Sequence, residues 1–381
     1  TSSVISELCD EKNKMRIVPV ISITMPGKTL IPNNLSEDIQ RIIYPFQLFR
    51  KIFLTSTFSI KDNTISANGT KYYIFLTLFY IVLQILFAYN LMFGSISKDS
   101  GRFGNDMLTL TTYLMTICYC GTIILNLILS IIQTNNNISL ILNIQTIHDN
   151  VNYNKNNTQY FVMWSWVCST GIVLINLILL VTDYFSCLYK YLNIFDIMID
   201  VLFISIELNT IYGVYIIFLL RQYLILWQNN LVTLNDEHDN HGSMFDTYQY
   251  ILDAYNVFKN IFHGSIFIQT FCSGYTIILV TIVFWVLKDM ALVILISVYC
   301  QKFYISVEDA ETACIVRLIN TNYSGRYETE IRLCEGVIQL NRDSFKKMCA
   351  CGLFDVDASL PLSLMKLITS YIIVLLQFAI L

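Results

Sequence analysis

Long apolar runs separated by polar segments make up most of the chain. An α-helix rises 1.5 Å per residue, so about 20 apolar residues cross the hydrocarbon core of a bilayer. By this criterion the pattern predicts seven membrane-spanning helices, at residues 72–94, 107–132, 160–187, 194–226, 261–287, 290–307 and 360–381. The predicted fold class is therefore an all-α membrane protein with seven transmembrane helices.

The polar segments divide the chain further. Residues 38–58 are apolar but are interrupted by Pro45 and by Arg50-Lys51, which predicts an interfacial helix and not a span. Residues 308–359 alternate apolar and charged positions at helical spacing, which predicts one or two amphipathic helices. These are either an ordinary solvated connection or an anchor region packed beneath the membrane. The predicted domains are an N-terminal segment, a six-span domain, an anchor region and a seventh span, at residues 1–71, 72–307, 308–359 and 360–381.

Lysine and arginine are distributed unequally between the two sides of the membrane. With the N-terminus inside, the outside loops hold four of the 24, namely Lys98, Arg102, Lys190 and Lys288, and the inside segments hold the other 20. Because cytosolic loops carry the excess positive charge, the N-terminus is predicted to be cytosolic and the C-terminus extracellular. This orientation is opposite to that of a G-protein-coupled receptor. All five glycosylation sequons, at Asn34, Asn68, Asn137, Asn156 and Asn322, then lie on the cytosolic side.

Composition agrees with the membrane assignment and excludes other classes. The chain is 55% hydrophobic and only 14% charged, whereas soluble domains are about 25% charged. This composition predicts contact with membrane lipids. There is no basic cluster interleaved with aromatic residues, so we predict no nucleic acid partner. The four histidines lack metal-ligand spacing, and no phosphate loop or nucleophile motif is present. We therefore predict no enzymatic activity, no metal and no cofactor.

Acidic residues near and within the predicted spans are candidates for a ligand or ion pathway. Asp196 and Asp200 lie four residues apart on one helix face, Glu207 lies on the same face two turns further, and Asp183 ends the preceding span. Asp183, Asp196 and Asp200 would form an outer acidic cluster, or simply a solvated helix end. For Glu207 the alternatives are a buried hydrogen bond to a neighbouring helix, for which Asn176, Tyr212 and Ser273 are the candidates, or a place in a pocket.

The pocket interpretation gathers aromatic and polar residues from the outer halves of several spans. Aromatic walls with a few polar groups are typical of small-molecule pockets. The predicted lining is Tyr113, Thr116, Asn176, Glu207, Tyr275, Trp285 and Tyr299. An excess of carboxylates there suggests a cationic ligand held by charge and cation–π contact.

The last predicted span carries one strongly polar side chain, Gln377, near its end. Ser370, Val374 and Gln377 fall on one face at helical spacing. Gln377 either bonds to a neighbouring helix or forms a ring with other copies around a water-filled pore.

Three motifs resemble the insect gustatory receptor family. Ser370-Tyr371, five apolar residues and Gln377-Phe378 resemble the family signature Thr-Tyr, five apolar residues, Gln-Phe, with Ser370 in place of threonine. Residues 299–304, with Ala310 and the segment 312–314, resemble the family's segment after the sixth span. Residues 351–362 resemble the moth and butterfly subgroup that is associated with deterrent plant compounds. The detailed resemblance covers residues 299–381, and upstream only the pattern of spans is similar.

This resemblance implies a ligand-gated, non-selective cation channel in the plasma membrane of a sensory neuron. It implies a homotetramer, with other gustatory receptor subunits as possible partners, opened by a bitter or deterrent small-molecule tastant. By motif, Gln377 and Phe378 would lie at the narrowest part of the pore, Val374 one turn below, and Ser370 on the same face. The alternatives are a sugar-gated gustatory channel and a seven-span receptor that signals through G proteins.

Overall fold

The computed structural model describes residues 34–61, 63–96, 121–151, 155–186, 194–233, 241–275, 280–322, 328–350 and 352–380. The chain divides into two compact units, Thr1–Pro32 and Asn33–Leu381, and every described residue belongs to the second.

The described residues are mostly helical. The helices are α1 Glu37–Ile52, α2 Thr70–Ile96, α3 Gly121–Ile132, α4 Thr134–Asn150, α5 Lys155–Ser186, α6 Ile194–Thr233, α7 His241–Tyr275, α8 Val280–Asn322, α9 Glu328–Ser344 and α10 Leu360–Ile380. Two short antiparallel hairpins connect them, β1 Phe58–Lys61 with β2 Thr64–Ala67, and β3 Cys349–Ala350 with β4 Phe354–Asp355.

Several helices are long and apolar enough to cross a bilayer. Within the described ranges three meet this test, Thr158–Thr182, Phe203–Val232 and Leu287–Ile319, and α3 with α4 makes a fourth if the pair, bent by 57°, is one span. Thr70–Leu86 and Leu360–Ser370 are shorter apolar helices. The protein is therefore a helical, multi-pass membrane protein.

Two predicted span boundaries are wrong. The spans predicted at 261–287 and 290–307 place a break beside Lys288, but α7 ends at Tyr275 and α8 runs without interruption from Val280 to Asn322. Lys288 is thus inside a helix and not in an outside loop. The pair Lys288-Asp289 looked like a break because it interrupts the apolar run, yet both side chains are buried and partnered. Residues 107–120 of the predicted second span lie outside the described residues.

Helix α6 is the centre of the bundle. It packs against α5, α7 and α8, and it buries the large side chains of Tyr212, Tyr215, Tyr223 and Trp227 almost completely. In the apolar segment Phe203–Val232 of α6, 89% is buried inside the protein. This helix therefore has neighbours on nearly every side and touches little lipid. Helices α2 and α5 differ, since each keeps an exposed apolar stripe of the kind that faces lipid, Ile74, Phe75, Leu78, Ile81 and Ile85 on α2 and Leu174, Ile175 and Ile178 on α5.

Helix α1 packs against α5 and α6. Its inner face consists of Ile39, Ile42, Ile43 and Phe46, which are nearly inaccessible. The Phe46 ring centroid lies 5.4 Å from that of Tyr212 and 5.2 Å from that of Tyr215. The predicted interfacial helix is therefore helical, as expected, and is part of the core.

Polar contacts link α6, α7, α8, α9 and the segment that precedes α10. Arg317 on α8 bonds both the Glu330 carboxylate of α9 and the Leu231 carbonyl of α6. The Tyr248 hydroxyl of α7 donates to Asn341 Oδ1 of α9 at 2.6 Å. The Tyr304 hydroxyl of α8 donates to the Val356 carbonyl at 3.1 Å, just before α10 begins. These contacts connect the helical bundle to the start of α10.

Gly213→Ala is expected to destabilise the bundle. A Cβ built on Gly213 lies 2.7 Å from Cδ1 of Phe262 on α7, and Phe262 is itself 2% exposed, so its ring has to shift within a packed interior. Overpacking of this kind costs ~1–3 kcal/mol. The test is the thermal unfolding temperature of the full chain purified in detergent.

The matched control for this prediction is Gly171→Ala on α5, where a Cβ meets nothing within 4 Å. Alanine is the better helix former by ~1 kcal/mol, so this variant should unfold at the same temperature as the wild type or higher. Equal unfolding temperatures for the two variants would contradict the packing of α6 on α7.

Candidate functional site

A buried ionic cluster lies between α5, α6 and α8. The side chains of Lys288 and Glu207 form an ion pair and are 7% and 4% exposed. Lys288 Nζ also donates to Asn176 Oδ1 at 2.7 Å. Asn176 Nδ2 donates to the other Glu207 oxygen, Oε2, at 2.5 Å. Each of the three side chains therefore bonds the other two, and both oxygens of Glu207 have partners.

Asp289 extends the cluster to α7. Its side chain is buried, and Oδ1 accepts a hydrogen bond from Gln269 Nε2 at 3.1 Å. Glu207, Asp289 and Lys288 together carry a formal charge of −1. Charged groups in an apolar interior are tolerated only when they are paired and hydrogen-bonded. The cluster therefore holds four helices, α5 to α8, in one relative arrangement.

The cluster lies in the half of the bundle where α5 ends and α6 and α8 begin. Glu207 is the fourteenth residue of α6, Lys288 is the ninth of α8, and Asn176 is the eleventh from the end of α5. One of the two sequence interpretations of Glu207, a buried hydrogen bond to Asn176, is confirmed. The pairing with Lys288 was not predicted, nor were Asp289 and Gln269.

A second buried polar network lies at the same level of α6 as Glu207 but on the opposite side of the helix. Asn209 Nδ2 donates to Asn126 Oδ1 of α3 at 3.1 Å, and Asn126 Nδ2 donates to Ser205 Oγ at 3.5 Å. The sequence holds a signal for it, since Ser205 and Asn209 are four residues apart on one face of an apolar helix. Neighbouring helices at this level are thus joined by amide hydrogen bonds and not only by apolar packing.

The other predicted pocket residues are only partly placed. Tyr299 lies on α8 eleven residues beyond Lys288, ~16 Å along the helix axis, and its ring packs edge-on against Phe218 at 5.9 Å. It is therefore not part of the ionic cluster. Tyr113 and Thr116 lie outside the described residues. Tyr275 ends α7, Trp285 is in the second turn of α8, and Asp183, Asp196 and Asp200 are in α5 and α6, but their side chains lie outside the described part.

The predicted pore residues are all in α10, which packs on α8. Ser370 and Gln377 are exposed, and the side chains of Val374 and Phe378 lie outside the described part. Ser370 Oγ donates to the Lys366 carbonyl of its own helix at 2.9 Å. Among the described residues, none forms a hydrogen bond with Gln377. Large apolar side chains beside this face are also exposed, namely Leu362, Met365, Leu367 and Ile373.

The site contains no recognisable chemistry for catalysis or metal binding. Among the described residues, no group of three or more His, Cys, Asp or Glu side chains is placed to hold a metal ion. The ionic cluster can instead fix the relative positions of helices. Altering the Glu207–Lys288 contact would change those positions.

Fold and site together define a multi-pass helical membrane protein with a polar, partly charged interior. The fold is similar to that of the insect olfactory receptor OR5 from Machilis hrabei, with a TM-score of 0.62 over 89% of this chain and 98% of that chain, at 11% sequence identity. It is also similar to the same receptor in complex with eugenol, with a TM-score of 0.55 over 89% and 97% of the two chains, at 12% identity. No family model and no curated protein matches the sequence. The chain therefore shares the fold of insect olfactory receptors.

Lys288→Met is expected to destabilise the protein strongly. The substitution removes the ammonium group and leaves the Glu207 carboxylate buried, and breaking a buried pair in this way costs ~3–5 kcal/mol. The double variant with Glu207→Gln removes both charges of the pair, while Asp289 keeps its hydrogen bond to Gln269, and it should recover most of the loss. The measurement is thermal unfolding in detergent, arranged as a double-mutant cycle.

Arg41→Gln is the control for this cycle. It removes an ion pair with Glu37 whose side chains are 58% and 78% exposed, and such pairs contribute little. If Lys288→Met and the double variant were equally destabilised, the Glu207–Lys288 pair would not hold the helices together.

Proposed function

We propose that the protein is a chemoreceptor of the insect gustatory type, a ligand-gated and non-selective cation channel that a small-molecule tastant opens. The observation that carries this proposal is the fold shared with an insect olfactory receptor over 89% of the chain. One of the similar structures contains eugenol, a small plant phenol, and this supports a small organic ligand here. The motif resemblance in residues 299–381 supports the gustatory family and a bitter or deterrent compound.

The proposed topology has seven spans, a cytosolic N-terminus and an extracellular C-terminus. The position of Lys288 inside α8 supports it, because the predicted outside loops then keep only Lys98, Arg102 and Lys190. The sequon residue Asn137 is 2% exposed, and its side chain donates to the Gln133 carbonyl. An asparagine in this position cannot carry a glycan, which removes one objection to a cytosolic location.

The proposed pore is formed by α10 from several copies of the chain, four in a homotetramer. A glutamine amide that faces lipid is unfavourable, and the exposed Gln377 has no partner among the described residues of its own chain. Neighbouring copies or pore water would provide one. In this arrangement Gln377 and Phe378 surround the narrowest part, with Val374 and Ser370 on the same face. An apolar constriction of this kind resists wetting when narrow and conducts when it widens.

The proposed ligand pocket lies in the outer halves of the spans and is lined by the predicted set that includes Asn176, Glu207 and Tyr299. Because Glu207 already binds Lys288 and Asn176, a cationic ligand has to compete with an internal ammonium group. An aromatic or hydroxyl-bearing ligand without charge avoids this competition. The acidic residues Asp183, Asp196 and Asp200 remain candidates for attracting cations to the outer mouth.

Gln377→Ala is expected to alter permeation or gating of a ligand-evoked current. The measurement is whole-cell current from cells that express this chain alone, with a panel of plant alkaloids, phenols and sugars. We expect a cation current within milliseconds for at least one compound, and a changed reversal potential or open probability in the variant. Thr369→Ala is the control, because Thr369 is on the same helix, ~80° away around the axis, and bonds its own backbone.

The ligand class that evokes current separates a bitter-compound receptor from a sugar-gated one. A second-messenger response without current would instead favour a receptor that acts through G proteins and would contradict the channel proposal. Equal effects of Gln377→Ala and Thr369→Ala would show that the Gln377 face does not line the pore.

Lys98→Asn is expected to introduce a glycan into a chain that otherwise carries none. The substitution creates an Asn-Asp-Ser sequon with Asp99 and Ser100 in the loop predicted to be extracellular. The measurement is electrophoretic mobility before and after treatment with an N-glycosidase. The wild type should not shift, and the variant should. A shift of the wild type would place at least one native sequon in the lumen and would contradict the proposed orientation.

A further inference from the structure

Arg50, in the last turn of α1, has a buried guanidinium group without an acidic partner. The residue is 5% exposed, and its guanidinium carbon lies 5.1 Å from the centroid of the Tyr212 ring on α6. Nε has no hydrogen-bond partner, and no carboxylate in the described part of the chain pairs with this arginine. Arginine remains charged in proteins, so within the described part of the chain no group neutralises this buried positive charge.

The guanidinium group borders a small cavity between α1, the bend from α3 to α4, α6 and α7. Its volume is about 10 Å³, which is room for one ordered water molecule. The polar part of its wall includes Thr57, Gln133, Asn137, Asn209, Tyr212 and Ser265.

Several donors on this wall are unsatisfied. Arg50 Nε, the Thr57 hydroxyl and the Tyr212 hydroxyl are all buried and have no hydrogen-bond partner. The carbonyl oxygens of Asn137 and Asn209 also lack a partner. A buried donor without a partner is costly, and three that border one cavity indicate that something occupies it.

The charge balance distinguishes between the two simplest occupants. A water molecule would satisfy donors and acceptors but would leave the charge of Arg50 uncompensated. An anion would compensate that charge. The carbonyl oxygens of Asn137 and Asn209 repel an anion, but the full charge of the guanidinium group outweighs these two amide dipoles. Burial lowers the pKa of Arg50, and among the described residues the opposing contributions come from Tyr212, Tyr72 and Tyr73 and from no carboxylate.

The cavity size limits which anion fits. A chloride ion is a single atom that is larger than a water molecule, so it fits with small shifts of the surrounding side chains, whereas phosphate and lipid headgroups have at least five non-hydrogen atoms. The segment that follows α1 and contains Thr57 closes one side, and the buried amide of Gln133 at the helix bend closes another.

We propose that this cavity is a binding site for a monoatomic anion of the chloride class, held by Arg50, Thr57 and Tyr212. The anion neutralises the guanidinium group and joins α1 and the segment that follows it to α6. This site is separate from the proposed ligand pocket and pore, and its existence does not depend on channel activity.

The test uses the full wild-type chain purified in detergent. Equilibrium binding of radioactive chloride should show a single saturable site. The unfolding temperature should rise with chloride concentration when sodium chloride replaces sodium gluconate at constant ionic strength, because a ligand that binds only the folded state stabilises it. Bromide should replace chloride, whereas gluconate is too large.

Variants separate this site from adventitious binding. Tyr212→Phe keeps the ring and removes only the hydroxyl donor, so chloride affinity should fall ~5–10-fold, the size of one hydrogen bond. Arg50→Gln should abolish saturable binding and the chloride dependence of unfolding. Arg41→Gln, on the same helix but exposed, should leave both unchanged.

The proposal is overturned if the wild type shows no saturable chloride binding, since the cavity then contains water. It is also overturned if Tyr212→Phe binds chloride as tightly as the wild type, since the anion then lies elsewhere. This second criterion still applies if Arg50→Gln does not fold.

Discussion

The structure depends on neutralising charge inside an apolar bundle. Glu207 and Lys288 are on different helices, and each is buried, so neither position is tolerable unless α6 and α8 meet in one register. Asn176 fixes the place of α5 against this pair, and Asp289 with Gln269 adds α7. Apolar side chains alone would allow these helices to slide or rotate against each other. The ionic cluster removes that freedom, and every proposed role of the bundle requires it.

Helix α8 joins the ionic cluster to α9. Lys288 and Arg317 are on the same continuous helix, ~44 Å apart along its axis. The first binds the cluster between α5, α6 and α8, and the second binds Glu330 of α9. Between them, Tyr304 donates to the Val356 carbonyl just before α10 begins. In the proposed channel, a ligand that moves the outer end of α8 therefore has a direct physical connection to the helix that lines the pore.

Much of the helical framework follows from local sequence. The apolar runs predicted helices, three of which are long and apolar enough to span a bilayer within the described ranges. The pattern in 308–359 predicted amphipathic helices, and α10 begins at Leu360 as expected. Part of the candidate site could also be predicted from the sequence, since Asn176 is one of the three hydrogen-bond partners that the sequence suggests for Glu207. Asp289 and Gln269 were missed, although Lys288-Asp289 is flanked by apolar runs without a glycine or proline between them, which is compatible with a continuous helix.

The helical and apolar segments can be recognised locally, because helical periodicity and the cost of burying polar groups are properties of each segment alone. Contacts between helices are needed to see where α7 ends and α8 begins, that Lys288 lies within a long apolar helix, and that Arg50 is buried against Tyr212. The stability of a charged side chain inside a membrane protein depends on the groups that face it from other helices. Those groups are far away in the sequence, so hydropathy along one segment cannot distinguish a loop from a buried ion pair.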